Sequence, residues 1–179
     1  MTGRGAGGGF GRGEKAGFRH IGGSGVGGGT VLGLCGRLCN ARSFETVVEM
    51  AHKGDLKKVD LNISDISAGD ISTLTPDATA SNFGKMTDGV TPEDLARGVL
   101  NMVFQTVGML AVFACRQDGI KDVIVTGTLS TVPCANVLFK QVERLYKIKF
   151  IIPQHSIYAT ATGAALSYIF KNGQKNERG

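Results

Sequence analysis

A dense run of glycines, Gly-Gly-Ser-Gly-Val-Gly-Gly-Gly over residues 22–29, constrains the fold of this chain more than any other feature. Glycine leaves backbone N–H groups uncovered by side chains. Residues Thr30 to Leu38 carry apolar side chains at helical spacing, so a helix is expected directly after the glycines. Its free N–H groups and positive dipole end favour a phosphate or another small anion. The sequence therefore predicts an anion-binding turn at the mouth of a helix.

Length and composition indicate a single globular domain. The chain has 179 residues, of which 42% are hydrophobic and 20% charged. We find neither an apolar run of transmembrane length nor a signal peptide, so a cytoplasmic protein without a membrane partner is predicted. The four cysteines lack the spacing of a metal finger, and the three histidines are scattered. Structural thiols in a reducing compartment, and no metal site, are expected.

The two ends differ in composition from the rest. Residues 1–36 hold 16 of the 27 glycines, and residues 1–17 read as a disordered Gly/Arg-rich leader. The net charge of +5 suits anionic ligands. A nucleic-acid-binding role for the leader is the alternative, but no aromatic residue is interleaved with its charges beyond Phe10. We expect no nucleic-acid partner, and a flexible tail over residues 171–179.

Capping signals and apolar spacing predict an α/β layer architecture. Ser43 is an N-cap for a helix over Phe44–Lys53 that ends at Gly54, and Thr91-Pro92 begins a long helix to about Gln117 that is apolar almost all round. Strands and helices alternate after this, over residues 122–126, 133–146, 148–152 and 159–170.

A second loop that can carry chemistry is Gly127-Thr128-Leu129-Ser130, at the carboxyl end of a predicted buried strand. Ligands of open α/β sheets bind at such ends. Thr128 and Ser130 offer hydroxyls, and Gly127 permits close backbone approach. Alone, this loop is equally compatible with a plain strand-to-helix turn. Two glycine-bearing loops, each opening a helix, favour a nucleotide cleft.

The common nucleotide motifs do not explain the glycines. The lysine-bearing phosphate loop GxxxxGK[ST] is absent. Residues 23–28 match GxGxxG, but the preceding segment Phe18–Ile21 is too short and polar for a buried first strand. The acid about twenty residues further on, Glu45, falls in a predicted helix rather than at a strand end. A dinucleotide-binding fold is therefore disfavoured.

From Phe18 to Leu34, the segment F-R-H-I-G-G-S-G-V-G-G-G-T-V-L-G-L strongly resembles the glycine segment of type II (eukaryotic-like, Fumble family) pantothenate kinases. The likeness continues in order through further motifs, at residues 43–45, 49–55, 78–84, 92–97, 123–128 and 158–164. Together they cover residues 18–168. The resemblance implies, over residues 18–170, the C-terminal lobe of the actin/sugar-kinase/heat-shock-chaperone ATPase (ribonuclease H-like) fold.

The family is known to transfer the γ-phosphate of ATP to the primary hydroxyl of pantothenate, the first step of coenzyme A synthesis. The resemblance implies ATP and Mg²⁺ as cofactors, pantothenate as substrate and a homodimer. By resemblance, the residues that contact the nucleotide are Gly27, Gly28, Gly29, Thr30, Val31, Leu32, Phe44 and Thr128. A pantothenate-binding arginine of the family corresponds to the place of His20, one position after Arg19, and Ala161 matches a small residue near the pantothenate pocket and dimer contact.

The departure from the family concerns catalysis. The superfamily binds ATP between two lobes, and its first lobe carries an Asp-x-Gly-Gly phosphate loop and a glutamate general base. Neither has a counterpart in this sequence. We therefore expect a C-terminal lobe alone, with no catalytic residue of its own and little kinase activity, because phosphoryl transfer depends on positioning and charge neutralisation. The alternative is a non-catalytic nucleotide-binding or dimerisation module of the same family.

Two further expectations concern the middle of the chain. Four aspartates crowd its polar segment, and we interpret them as turn and cap residues rather than as metal ligands or acid–base groups: Asp60, Asp65, Asp70 and Asp77. The long helix from Thr91 is apolar on more faces than one lobe can cover, which predicts an interface and a dimer.

Overall fold

The computed structural model describes residues 8–14, 17–67 and 74–176, with side chains over 20–67, 74–116 and 118–169. These parts of the chain contain six helices and three two-stranded sheets. The helices are α1 Gly28–Leu38, α2 Phe44–Lys53, α3 Ile63–Ile66, α4 Pro92–Asp118, α5 Ala135–Tyr146 and α6 Ala159–Asn176. The strands are β1 Gly8–Glu14, β2 Gly17–Ser24, β3 Leu61–Asn62, β4 Thr79–Ser81, β5 Asp122–Ile124 and β6 Lys149–Ile151. The predicted α/β class is confirmed.

Helix α4 forms the centre of the hydrophobic core. The Thr91 hydroxyl accepts a hydrogen bond from the Asp94 N–H at 3.3 Å, and Gly119 ends the helix in a left-handed conformation at φ 65°. Helices α1, α2 and α5 pack around α4. Its fully buried side chains include Val99, Leu100 and Val103. The predicted start, extent and burial of this helix are confirmed.

By length and composition alone, α4 could also cross a membrane. An 18-residue window within Pro92–Arg116 has a mean hydropathy of 1.7, so the expectation that no apolar run reaches transmembrane length was wrong. The apolar window is 61% buried inside the protein. A helix at the centre of a core is apolar for the same reason as a membrane span, because its surroundings are apolar.

Helix α2 has the predicted bounds and meets the start of α4. The Ser43 hydroxyl accepts a hydrogen bond from the Thr46 N–H at 3.2 Å, and Gly54 follows the last turn. The Arg97 guanidinium of α4 donates to the Ala51 carbonyl at 3.1 Å. At Gly54 the chain passes so close to α4 that a Cβ would overlap the backbone of Glu93.

Strands β5 and β6 are parallel, with α5 as the connection between them. Val123 faces Phe150 in the register. The Phe139 ring of α5 stacks on Phe150 at 4.7 Å and meets Phe104 of α4 edge-on at 5.5 Å, so one aromatic side chain joins sheet and core. The predicted β–α–β alternation is confirmed, although both strands are shorter than expected.

The chain ends differ from their predicted states where the structure describes them. Gly8–Glu14 pairs antiparallel with Gly17–Ser24, whereas the sequence suggested an unstructured leader over residues 1–17. A strand ladder uses only backbone N–H and C=O groups, so glycine-rich segments can form one. Helix α6 continues to Asn176, beyond the predicted end at residue 170. The rest of the predicted leader and tail lies outside the described residues.

The approach of α2 to α4 generates a prediction at Gly54. Gly54→Ala should destabilise the protein by about 1–3 kcal/mol or more, because the added methyl group overlaps backbone atoms that cannot rotate away. Gly33→Ala is the matched control, since a Cβ there meets nothing within 4 Å and alanine in a helix interior stabilises by about 0.5–1 kcal/mol. Urea denaturation of the two variants measures both effects. Equal stabilities would contradict this packing.

Asp94 holds the junction of α2 and α4 electrostatically. Its carboxylate accepts hydrogen bonds from the N–H groups of Asp55 at 2.7 Å and Thr91 at 3.0 Å, and Lys58 Nζ lies 3.5 Å away. Burial alone would raise the pKa of this carboxyl. The hydrogen bonds and the lysine outweigh burial and lower its pKa to about 2.

This lowered pKa predicts a defined acid response. Because the folded pKa is about 2 and the ordinary value is 3.8, the ionised Asp94 stabilises the fold above about pH 4, and its contribution is lost as the pH falls towards 2. Asp94→Asn should lower stability at pH 7 and flatten the loss of stability between pH 4 and pH 2. Asp77→Asn, which removes an exposed carboxylate 3.6 Å from Lys57, should do neither. Urea denaturation across this pH range tests the difference, and identical profiles would contradict it.

Candidate functional site

The glycine-rich turn between β2 and α1 is held by its own hydrogen bonds. The Thr30 hydroxyl accepts from the Gly27 N–H at 3.1 Å and donates to the Gly25 carbonyl at 3.1 Å. The Val26 N–H donates to the Ser24 hydroxyl at 3.3 Å. Gly27 itself is extended, with φ −175° and ψ −156°. These hydrogen bonds define the shape of the turn.

The mouth of α1 presents free backbone donors. The first intrahelical hydrogen bond runs from the Val31 N–H to the Gly27 carbonyl at 3.1 Å. The N–H groups of Gly28, Gly29 and Thr30 have no intrahelical acceptor, as in the first turn of any α-helix. No acidic residue lies in this first turn. The positive end of the helix dipole is thus not neutralised locally, and this arrangement suits an anion.

Gly127 opens the second loop, at the carboxyl end of β5. Its φ of 99° lies in a region that favours glycine, whereas a Cβ there would meet nothing within 4 Å. Conformation rather than space therefore requires glycine at this position. The Gly127 N–H donates to the Ser156 carbonyl at 3.0 Å. Thr128 follows and is exposed, at the start of a 3₁₀ turn over Thr128–Thr131.

The two loops lie side by side. A Cβ built on Gly28 would lie 3.9 Å from Cγ of Leu129, which is ordinary van der Waals contact. The mouth of α1 and the turn that contains Thr128 are therefore close in space. This proximity is what the two-loop interpretation of the sequence requires.

Among the other predicted nucleotide contacts, Val31 is fully buried, so its side chain belongs to the core. Leu32, the next residue, is 39% exposed. Phe44 begins α2 and packs part of its ring against the core, so only the remainder can meet a ligand. Gly29 is exposed and Gly28 is half-buried.

The predicted pantothenate contacts lie on two different elements. His20 is an exposed residue of β2, opposite Gly11 of β1. Arg19 pairs with Arg12 in the same hairpin, and its side chain lies outside the described residues. Ala161 is exposed near the start of α6. Helix α6 contacts the 3₁₀ turn Ser156–Tyr158, which in turn contacts the turn Thr128–Thr131.

The aspartates of the middle segment act as cap and turn residues where they are described. The Asp65 carboxylate accepts from the Asn62 N–H at 2.9 Å and from Lys85 Nζ at 2.6 Å. Asp77 pairs with Lys57 at the surface. Asp70 lies outside the described residues.

Asp60 departs from the expected role of a turn or cap residue, because it is buried and bonds to residues distant in the sequence. It is fully buried, and its carboxylate accepts from the Phe83 N–H at 2.8 Å and from Nδ2 of Asn101 at 2.7 Å. Burial raises its pKa. Asn101 and Gln105 also donate to the Thr79 hydroxyl, at 3.3 and 2.9 Å. In the sequence, the signal for this network was the pair Asn101 and Gln105, two amide side chains one turn apart in the largely apolar helix α4.

The cysteines are structural where they are buried. Cys35, Cys39 and Cys115 are buried and free, as predicted. Burial, together with the neighbouring Cys39, raises the pKa of Cys35 to about 12, so this thiol stays protonated and unreactive. Among the described side chains, no three His, Cys, Asp or Glu residues are grouped to hold a metal ion.

Fold and site together define an α/β protein in which a glycine-rich turn at a helix mouth faces a second strand-to-helix turn. The profile of the Fumble family matches residues 12–167. Pantothenate kinase 1 of Arabidopsis thaliana is 32% identical over 168 residues, covering 84% of this chain and 43% of that protein. This chain belongs to the Fumble family, as the resemblance of its motifs predicted.

Two further relatives are also named pantothenate kinases. A type II pantothenate kinase of Bacillus cereus (strain G9842) is 33% identical over 132 residues, 72% of this chain and 47% of that protein. Pantothenate kinase 2 of Arabidopsis thaliana is 29% identical over 168 residues, 84% of this chain and 18% of that protein. The chain thus spans less than half the length of these curated relatives.

Proposed function

We propose that residues 18–170 form the nucleotide-binding C-terminal lobe of a cytoplasmic pantothenate kinase, which transfers the γ-phosphate of ATP to pantothenate at the first step of coenzyme A synthesis. The family and the names of the relatives support the activity. The observation that carries the nucleotide role is the proximity of the two predicted nucleotide loops, since a Cβ built on Gly28 would lie 3.9 Å from Cγ of Leu129. Free thiols at all four cysteines are consistent with a reducing compartment.

The finer fold, one lobe of the actin/sugar-kinase/heat-shock-chaperone ATPase architecture, is part of the proposal. The parallel β5–α5–β6 unit, with a glycine turn at the carboxyl end of β5, supports it. In this reading the N–H groups of Gly28, Gly29 and Thr30 bind phosphate oxygens, and Thr128 contacts the nucleoside. His20, Arg19 and Ala161 are proposed on the pantothenate side.

Mg²⁺ enters the proposal only through the family. Among the described residues no group of three His, Cys, Asp or Glu side chains is placed to hold a metal ion. We therefore assign no metal-dependent step to this chain. Its part is to orient the nucleotide by backbone donors and to hold the two turns at a fixed separation.

Phosphoryl transfer also needs groups that this sequence does not supply. The 179 residues contain no Asp-x-Gly-Gly segment, and they match less than half of each relative. The complete activity is therefore proposed for a protein or assembly that includes the other lobe. The isolated chain is proposed to bind nucleotide while turning over little of it.

A charge placed in the first turn of α1 tests the nucleotide role. Gly29→Asp should raise the Kd for ATP about tenfold or more, because a carboxylate would repel the phosphates and occupy the free donors. Folding stability should stay the same or rise slightly, since an acid in the first turn of a helix is favourable. Titration calorimetry with ATP and thermal denaturation measure the two quantities.

Gly33→Asp provides the control, because it adds the same charge one turn further along α1 at an exposed position where a Cβ meets nothing within 4 Å. Its Kd should stay close to that of the unsubstituted chain. No measurable ATP binding by the unsubstituted chain, or equal Kd values for Gly29→Asp and Gly33→Asp, would contradict the proposed site.

A second candidate function is a dimerisation module, favoured by uncovered apolar surface. The expected surface is on α4, whose apolar window is 61% buried and which α1, α2 and α5 cover in part, so an interface on α4 stays a prediction. Exposed apolar side chains also lie on α6, where Leu166 is 47% and Ile169 61% exposed. These residues lie three positions apart and share a helix face. A second copy of the chain is the occupant that the homodimer hypothesis assigns to this face.

Sedimentation tests this candidate. At tens of micromolar the chain should sediment as a dimer, and Leu166→Glu with Ile169→Glu should shift it to a monomer, because two buried carboxylates would face apolar surface. Phe113→Glu is the control, since Phe113 is an exposed apolar residue of α4, at 58%. A monomeric unsubstituted chain, or the same shift in the control, would argue against α6 as the interface.

A further inference from the structure

Two buried hydroxyls lie directly behind the Gly127 turn. Ser130 is 6% exposed and Ser156 5% exposed, and their Oγ atoms are 2.5 Å apart although the residues are separated by 26 positions. Ser130 belongs to the 3₁₀ turn after β5, and Ser156 begins the 3₁₀ turn before α6. The pair therefore joins two segments that the chain brings together only through its fold.

The hydrogen bonds of this pair have one consistent direction. The Ser130 hydroxyl is 2.6 Å from the Gly127 carbonyl, which can only accept, so Ser130 donates its single proton there. The Ser156 hydroxyl must then donate to Ser130 Oγ. The Ser156 carbonyl also accepts the Gly127 N–H at 3.0 Å. These bonds form a closed ring that starts and ends at Gly127.

This ring of hydrogen bonds restrains Gly127, which as a glycine has the greatest conformational freedom in the turn. Gly127 has φ 99°, and glycine without restraint occupies many conformations. Its N–H is held by the Ser156 carbonyl, and its carbonyl is held by both the hydroxyl and the N–H of Ser130. Thr128 and Leu129 follow immediately, and Leu129 is the residue that meets Gly28 of the other loop.

We propose that Ser130 and Ser156 are positioning residues, whose linked hydroxyls hold the Gly127 turn in the conformation that binds nucleotide. The inference depends on the proposed nucleotide function of this surface. Both hydroxyls face the protein interior and are satisfied there, so they act through Gly127 rather than by touching the ligand. Linked hydroxyls strengthen one another in a low-dielectric interior, which suits this role.

The test compares ATP affinity with stability in the full 179-residue chain. Ser130→Ala and Ser156→Ala should each raise the Kd for ATP about five- to tenfold, because each breaks the hydroxyl link between the two 3₁₀ turns and leaves the Gly127 turn held by fewer hydrogen bonds. The double variant should bind ATP with about the same affinity as the single variant that binds it less tightly, since the two hydroxyls act as one unit. Titration calorimetry with ATP, with thermal denaturation in parallel, provides both measurements.

Thr91→Ala is the matched control for stability. It removes the N-cap hydroxyl of α4, far along the chain from both loops, and should lower the melting temperature while leaving the Kd for ATP unchanged. Ser156→Cys is a second variant for the case in which the alanine variant fails to fold, because cysteine has nearly the same shape as serine and its thiol is a weaker hydrogen-bond donor. It should fold and still show a raised Kd.

The outcomes separate this inference from the proposed function. Absence of ATP binding by the unsubstituted chain would overturn the nucleotide function and the positioning role together. Normal ATP binding by the unsubstituted chain with equally tight binding by folded Ser130→Ala, Ser156→Ala or Ser156→Cys would overturn the positioning role alone. Equal loss of affinity in Thr91→Ala would also overturn it, because stability rather than turn geometry would then determine binding.

Discussion

Burial of α4 is the constraint from which the rest of this structure follows. The helix is apolar on several faces, and α1, α2 and α5 pack around it because this arrangement removes apolar surface from water. Helix α1 joins this core through Val31 and Cys35, both fully buried. The direction of α1, and hence of the free donors at its mouth, is therefore set by hydrophobic packing rather than by the glycines themselves.

The same core also contains a buried carboxylate, that of Asp60, which orders the segment around Phe83. Burying a carboxylate such as Asp60 is unfavourable unless its oxygens are hydrogen-bonded, and here one oxygen accepts from the Phe83 backbone and the other from Asn101. Phe83 has a positive φ of 58°, which is uncommon for a large side chain. The buried carboxylate thus stabilises a backbone conformation that local preference disfavours, and it ties the segment after β4 to α4.

The sequence predicted best those features that depend on residues close together in the chain. Ser43 and Thr91 lie next to the N–H groups that they cap, so their positions define the helix starts without knowledge of the fold. The bonds of Asp60 with Asn101 and of Ser130 with Ser156 span 41 and 26 positions. No spacing rule relates residues so far apart. The proximity of the two glycine loops depended on an expected sheet topology, and the roles of the individual site residues still rest on family resemblance.

Which groups remain exposed depends on how the chain packs around α4. Within the described residues the chain folds around its own central helix, and two of the features left at the surface are the backbone donors at the mouth of α1 and the apolar side chains of α6. Backbone donors attract a small anion, whereas apolar side chains attract a second apolar surface. The 3₁₀ turns at Thr128 and Ser156 lie between these features and are bonded to each other. The hydroxyl pair therefore belongs both to the turn that holds Gly127 and to the segment that leads into α6.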